Sequence, residues 1–244
     1  MRSHAQYCPV AKATEVLGDR WTMLIVREML GGARGFNELQ RGLPGISRSV
    51  LADRMRSLER SEVIERRTGP SGRTLEYRLT AAGRDLQPVV QAIGEWGATW
   101  SFTEPRAEEL DPDLLIVWMA RHVDRGSLPP GRTVVQFDFR DPQRRYWMVL
   151  EPAEVSVCVQ HPGFDVDLSV AVDTRTLFRV YLGRADLGGA IAAGRLTMDG
   201  PQTLQKELGR WFTWSAFAPA SRGAEERRLA ASRTAHPHHV RIGD

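Results

Sequence analysis

The 244-residue sequence predicts an α+β protein of two domains, and three observations carry that prediction. First, FNELQRGLPGISRSVLADRMRSLERSEVIERRTGPSGRTLEYRLT at 36–80 sets out a short helix, a Pro-Gly turn, an Arg-studded helix and a basic hairpin without a gap. That is the layout of a winged helix-turn-helix, mostly α with a β-hairpin wing. Second, four runs between residues 133 and 172 alternate apolar and polar residues and are followed by helical patterns, which is the order of an α+β layer. Third, single cores usually stop at about 100–200 residues, so this length favours two.

In the first part, residues 10–17 and 21–31 read as helices packing behind the helix-turn-helix, the second through Met23, Leu24, Ile25, Val26, Met29 and Leu30. Ser47 stands where a hydroxyl can cap a helix. At 100° per residue Val50, Leu51, Met55 and Leu58 then share one sector, and Arg48, Ser49, Ala52, Arg56, Ser57 and Arg60 the other. Arg54 falls among the apolar positions and reads as a structural residue paired with a carboxylate. The runs 63–68 and 74–80 alternate like strands around GPSG at 69–72. Residues 81–101 predict one more helix, with Pro88 as a kink and a stripe of Val89, Ile93, Trp96 and Trp100 as an interface candidate.

An Arg/Ser face opposite an apolar stripe suits a helix entering the major groove. Arg can fork onto guanine, small side chains permit close approach, and both Ser and Arg hold phosphates. The candidate DNA-binding residues are therefore Ser47, Arg48, Ser49, Ala52, Arg56 and Arg60, with Arg67 and Arg73 from the wing. Alone, the helix reads rather as an ordinary amphipathic one with a solvated charged face. The turn before it and the hairpin behind it decide for double-stranded DNA.

In the second part, residues 111–124 read as a helix. The alternating runs 133–139, 146–151, 155–160 and 166–172 predict an antiparallel sheet. Helices follow at 174–182 and 187–193, then a short strand at 195–199 and a last helix from Pro201 to about Trp214. If sheet and helices stand apart they enclose an apolar cavity, with Phe137, Phe139, Met148, Leu168, Phe178, Tyr181 and Trp211 as candidate ligand-binding residues. If they pack fully, these residues are core. The boundaries expected are 1–102 for the DNA-binding domain, a linker at 103–112, a second domain at 113–220 and a tail at 221–244 without regular structure.

Two family resemblances follow from particular residues. From Cys8 to about Trp100 the chain resembles the HxlR family of bacterial winged-helix regulators. The features are the Cys-Pro opening, Gly-Asp-Arg-Trp at 18–21, Phe-Asn-Glu-Leu at 36–39, Pro-Gly-Ile-Ser at 44–47 and Glu-Tyr-Arg-Leu-Thr at 76–80. The resemblance implies a small dimeric transcription factor. It also implies Cys8 as a redox or electrophile sensor in some relatives, a role that Lys12 one turn away would favour. A purely structural Cys8 is the competing reading. FDVDLSVAVDTRTLFRVYLGRADLGGAIAAGRLTMDGPQTLQKELGRWF at 164–212 is similar to the sterol-carrier-protein-2-like fold, whose lipid-binding members hold an apolar ligand between sheet and helices.

Composition narrows the function further. The overall charge is +3, but residues 1–100 carry 15 basic and 11 acidic side chains whereas 101–222 carry 14 and 16, so the first domain is the one suited to a polyanion. No apolar stretch approaches the roughly 20 residues that span a bilayer, and the opening MRSHAQYCPV lacks a signal-peptide core, so no membrane partner and a cytoplasmic location are expected. Two cysteines, Cys8 and Cys158, do not form a disulfide framework. His236, His238 and His239 lack the cysteines or carboxylates of a metal site, and no nucleophile–base pairing is evident, so neither metal, cofactor nor enzymatic activity is expected. The reading is a homodimeric regulator of an inverted-repeat operator, modulated by an apolar small-molecule effector. Alternatives are a redox switch at Cys8, a lipid carrier without direct DNA recognition, and an enzyme.

Overall fold

The structure, a computed structural model, describes residues 4–69, 74–101 and 103–234. It divides into two compact units, Met1–Gly94 and Glu95–Asp244.

The first unit contains α1 (Pro9–Leu17), α2 (Thr22–Leu30), α3 (Phe36–Gly42), α4 (Arg48–Arg60), the hairpin β1 (Ile64–Thr68) and β2 (Thr74–Leu79), α5 (Ala81–Arg84) and all but the last two residues of α6 (Gln87–Trp96). One cluster holds it together: Ile25, Val26 and Met29 of α2, Leu39 of α3, Leu51, Met55 and Leu58 of α4, and Ile64 of β1. Gly42 lets α3 approach α2, since a Cβ there would sit 2.2 Å from Oε2 of the buried Glu28. The hairpin is tied at both ends. Tyr77 N donates to Arg34 O at 2.9 Å, and the Thr80 hydroxyl donates to Glu62 O at 2.6 Å while accepting from Gly83 N at 3.1 Å to cap α5.

The helix expected over 81–101 is not continuous. The chain turns at 85–86, and residues 97–101 wind as a π-helix. Pro88 is not the cause. It lies in the first turn of α6, where its missing N–H removes no helical bond.

The second unit contains α7 (Pro112–Arg121), β3 (Thr133–Arg140), β4 (Gln143–Leu150), β5 (Val155–Cys158), β6 (Leu168–Val172), α8 (Thr174–Tyr181), α9 (Leu187–Ala192), β7 (Leu196–Asp199), α10 (Gln202–Glu207) and α11 (Ala218–Thr234). The sheet runs β5-β4-β3-β6-β7. It is mixed, not antiparallel: β6 pairs with β3 in parallel, from Val135 opposite Leu168 to Phe139 opposite Val172. Alternation told which face of each strand is buried, not which strand lies beside it. The segment between β5 and β6 crosses the sheet. His161 meets Trp147 at 5.4 Å between ring centroids, and Asp167 fixes the crossing by accepting from Val134 N at 2.8 Å. Asp173 caps α8 through Thr176 N at 2.7 Å.

The last helix is also shorter than expected, with α10 passing into one 3₁₀ turn at 208–210. The tail at 221–244 is corrected in part. Ser221 to Thr234 continue α11, whose Ala218 packs against Gly183 and whose Glu225 is ion-paired. Residues 235–244, with His236, His238 and His239, lie outside the described residues.

A Cβ on Gly83 would lie 2.2 Å from the backbone O of Val63 and 2.9 Å from Leu79 Cδ2. Backbone cannot yield as a flexible side chain can. Gly83→Ala is therefore expected to destabilise the first unit by about 1–3 kcal/mol in urea denaturation. Unchanged stability would contradict this placement of α5 against the hairpin.

Candidate functional site

The site begins at the turn before α4. Gly45 has φ +84°, a left-handed conformation that glycine adopts without strain. Ser47 Oγ then accepts from Val50 N at 3.3 Å and lies 3.1 Å from Ser49 Oγ, so both hydroxyls are organised around the helix start. Leu51, Met55 and Leu58 point into the core. Ser47, Arg48, Ser49, Arg56 and Arg60 are exposed, and Ala52 is half-buried. Val50, expected with the core stripe, is instead 37% exposed. It lies in the first turn, ahead of the segment that meets α2 and α3.

The arginines fall into distinct states. Arg54 Nη1 lies 2.8 Å from Asp19 Oδ2, the carboxylate pairing expected of it. Arg48 Nη1 donates to Gln40 Oε1 at 3.0 Å and Asn37 Oδ1 at 3.3 Å, and its guanidinium lies over the Phe36 ring at 5.2 Å. Asn37 and Gln40, missed in the sequence, thus steer Arg48 from α3; their spacing of three on a short helix was the available signal. Arg56 pairs with Asp53 one turn earlier, both well exposed. Such a pair is weak and screened, so a phosphate or base edge can replace the aspartate. Arg60 and Arg67 are exposed and make no ion pair among the described residues. On the hairpin Arg66 pairs with Glu59 at 3.3 Å and Arg78 with Glu76 at 2.6 Å. Arg73 lies outside the described residues.

Cys8 immediately precedes α1. Its side chain makes no capping hydrogen bond, yet the backbone N–H of Ala11, and then that of Val10, favour the thiolate and hold its pKa below the ordinary thiol value. Lys12 has a different role from the one expected, because its ammonium pairs with Glu15 at 3.1 Å. Oxidation to a disulfide within the unit has no partner, since the other cysteine, Cys158, is in the second unit.

The sequence of this region is matched in known proteins. The model of the HxlR-like helix-turn-helix family matches residues 16–105. The uncharacterized HTH-type transcriptional regulator YvaP of Bacillus subtilis (strain 168) is 35% identical over 100 residues, covering 40% of this chain and 93% of that protein. The chain belongs to the HxlR-like helix-turn-helix family. The HTH-type transcriptional regulator YodB of the same organism is 36% identical over 100 residues, 40% of this chain and 88% of that protein. A solved structure, the reduced form of YodB from B. subtilis, has 34% identity, covers 39% of this chain and 95% of that one, and has a TM-score of 0.34.

The HxlR-like region accounts for less than half of the chain. Residues 123–212 match the model of the SCP-2 sterol transfer family. The seven side chains expected to line a cavity there do not stand apart. Phe137, Phe139, Met148, Leu168, Phe178, Tyr181 and Trp211 belong to one packed cluster and are at most 6% exposed. Aromatic pairs fill the space between the layers: Phe139 meets Tyr146 edge-on at 5.6 Å, and Trp118 stacks on Tyr181 at 6.2 Å. One open crevice among the described residues of this unit, about 440 Å³, is lined by none of the seven. Among the described residues no three His, Cys, Asp or Glu side chains cluster as a metal site, and no helix is long and apolar enough to cross a membrane.

Ser47→Ala removes the cap that sets the start of α4. It is expected to cost about 1 kcal/mol in thermal or urea unfolding, and Ser47→Asp should restore most of it. A loss that aspartate fails to recover would assign Ser47 some other role.

Proposed function

We propose that the chain is a DNA-binding transcriptional regulator that acts as a homodimer in the cytoplasm and reads an inverted repeat in double-stranded DNA. The observation carrying this is the outward face of α4, where Arg48, Ser49, Arg56 and Arg60 stand exposed behind a capped turn. The relatives YvaP and YodB are likewise named as HTH-type transcriptional regulators. Ser49 and Ala52 permit close approach, Arg48 and Arg56 reach base edges, and Arg60, Arg67 and Arg73 hold phosphates. Dimerisation is supported by exposed apolar side chains: Val89, Ile93, Trp96 and Trp100 are 40–70% exposed, and Tyr7 and Val10 are also open. Side chains of this size need cover. The second domain tunes DNA affinity by sensing an apolar small molecule, whose preference for one spacing of the two α4 helices shifts the population.

Selection from random duplexes is expected to return an inverted repeat with half-sites about one helical turn, or a multiple of it, apart. On that duplex Arg56→Ala is expected to lose roughly 1–3 kcal/mol and to relax base preference at one position. Arg73→Ala should weaken all duplexes alike and flatten the salt dependence. Retention of full affinity and selectivity by Arg56→Ala would remove α4 as the reader. Light scattering should give a dimer at micromolar protein, and Ile93→Glu with Trp96→Glu should give a monomer.

The depressed thiol of Cys8 favours a second reading, a redox or electrophile switch. Alkylation of Cys8 by iodoacetamide should then reach half-maximal rate at a lower pH than free cysteine does. A profile that coincides with free cysteine would leave Cys8 a structural residue.

A further inference from the structure

Arg48 is the first residue of α4, yet its side chain is held from α3. In a helix the Cα–Cβ bond tilts toward the N-terminus, so a side chain in the first turn reaches back over the chain that precedes it. There α3 receives it. Glu38 fixes the start of α3 by accepting from Arg34 N at 2.9 Å and Gly35 N at 3.1 Å, and the buried Leu39 anchors the helix in the core. Gln40 Oε1 and Asn37 Oδ1 then accept from one Arg48 nitrogen, Nη1, and the Phe36 ring supports the guanidinium.

A guanidinium only donates, so both amides must turn their oxygens toward it. These acceptors are neutral, and Arg48 keeps its full charge. Arg56 differs, because its partner Asp53 is a carboxylate that a ligand has to displace. With Nη1 occupied, Nε and Nη2 of Arg48 have no partner among the described residues. Their N–H groups point along one edge of the guanidinium plane and make a fork of two donors. Arg48 and the neighbouring Ser49 are both exposed, so the fork is open.

We propose that Arg48 reads a guanine in each half-site, and that Gln40, Asn37 and Phe36 of α3 are the positioning residues that aim it. The inference rests on the reading of α4 as the helix that enters the major groove, and it names the base and the residues that select it. Two donors side by side need two acceptors side by side. Guanine offers N7 and O6 at its major-groove edge, whereas adenine and cytosine place an amino donor there and thymine sets one acceptor beside a methyl group. A side chain already held loses less rotamer freedom on binding than a free one. A plane fixed by two amides and a ring is also kept from swinging to a neighbouring phosphate, so the hold favours selectivity as well as affinity.

The test uses the full chain and the duplex recovered by selection from random sequences, with copies carrying A, C or T in place of each half-site guanine in turn. In fluorescence anisotropy the wild type is expected to prefer guanine at one such position by about tenfold or more, and Arg48→Ala to lose that preference alone. Gln40→Met keeps the length of the side chain without its acceptor. It should lower the same preference by about threefold or more, and Asn37→Ala should add to the loss, with the position governed by Arg56 unaffected. Gln40→Glu keeps the acceptor and adds a negative charge, so it should weaken binding to every copy and yet retain the preference. A role in the fold alone would instead move all positions together. Uniform weakening by Arg48→Ala, with the preference intact, makes Arg48 a phosphate anchor and overturns the guanine assignment. An undiminished preference in the Gln40→Met, Asn37→Ala double variant overturns the positioning. Both results leave α4 in the groove, whereas a selection that recovers no sequence removes the DNA-reading proposal beneath this one.

Discussion

The direction in which α4 faces is set by three apolar contacts. Leu51, Met55 and Leu58 are buried against Ile25, Val26 and Leu39, and this stripe leaves the arginine and serine side chains no inward option. A helix shifted by one residue turns through about 100°, so the same sequence in another register would bury a guanidinium. Everything proposed for DNA depends on this packing. The caps at Ser47 and Thr80, the small Gly42 and the tie from Tyr77 to Arg34 hold α4 and the hairpin at fixed positions around it.

Charge is then apportioned by geometry. Arg54 is drawn to Asp19, Arg48 is steered by Asn37 and Gln40, and Arg60 and Arg67 remain open to solvent. Similar side chains on one short stretch therefore serve stability, orientation and availability separately. The second domain shows the same economy. Aromatic side chains close the space between sheet and helices, and the concave surface lies instead where α8 and α11 bring arginine and glutamate together.

Local chemistry was legible in the sequence wherever it was itself local. The Ser47 cap, the Pro-Gly turn, the stripe of α4 apart from Val50 and the misfit Arg54 follow from spacing within a few residues, and the structure has each of them. The parallel pairing of β3 with β6 was not legible, because alternation records faces and not neighbours. Nor was the fate of Phe137, Met148 and Trp211, since an apolar face reads alike whether it lines a cavity or fills one. An ion-pair cluster around Glu104 joins residues 104, 179, 184 and 225, a separation no motif spans. Arg175 and Arg179, four apart on α8, were the trace it left.

The crossing that sets β6 beside β3 also bears on how the chain acquires its structure. In the first unit the hairpin closes between Ile64 and Leu79, and neighbouring helices meet across short turns. The second unit completes its sheet only when Val135 finds Leu168 after two strands and a crossing have been made. Distant pairings must bear the entropy of loop closure before they are rewarded, and they slow folding. During synthesis the N-terminal unit leaves the ribosome first and has its contacts within reach. The HxlR-like unit is thus formed ahead of the second one, and for that interval a nascent chain carries a folded helix-turn-helix followed by an unfinished sheet.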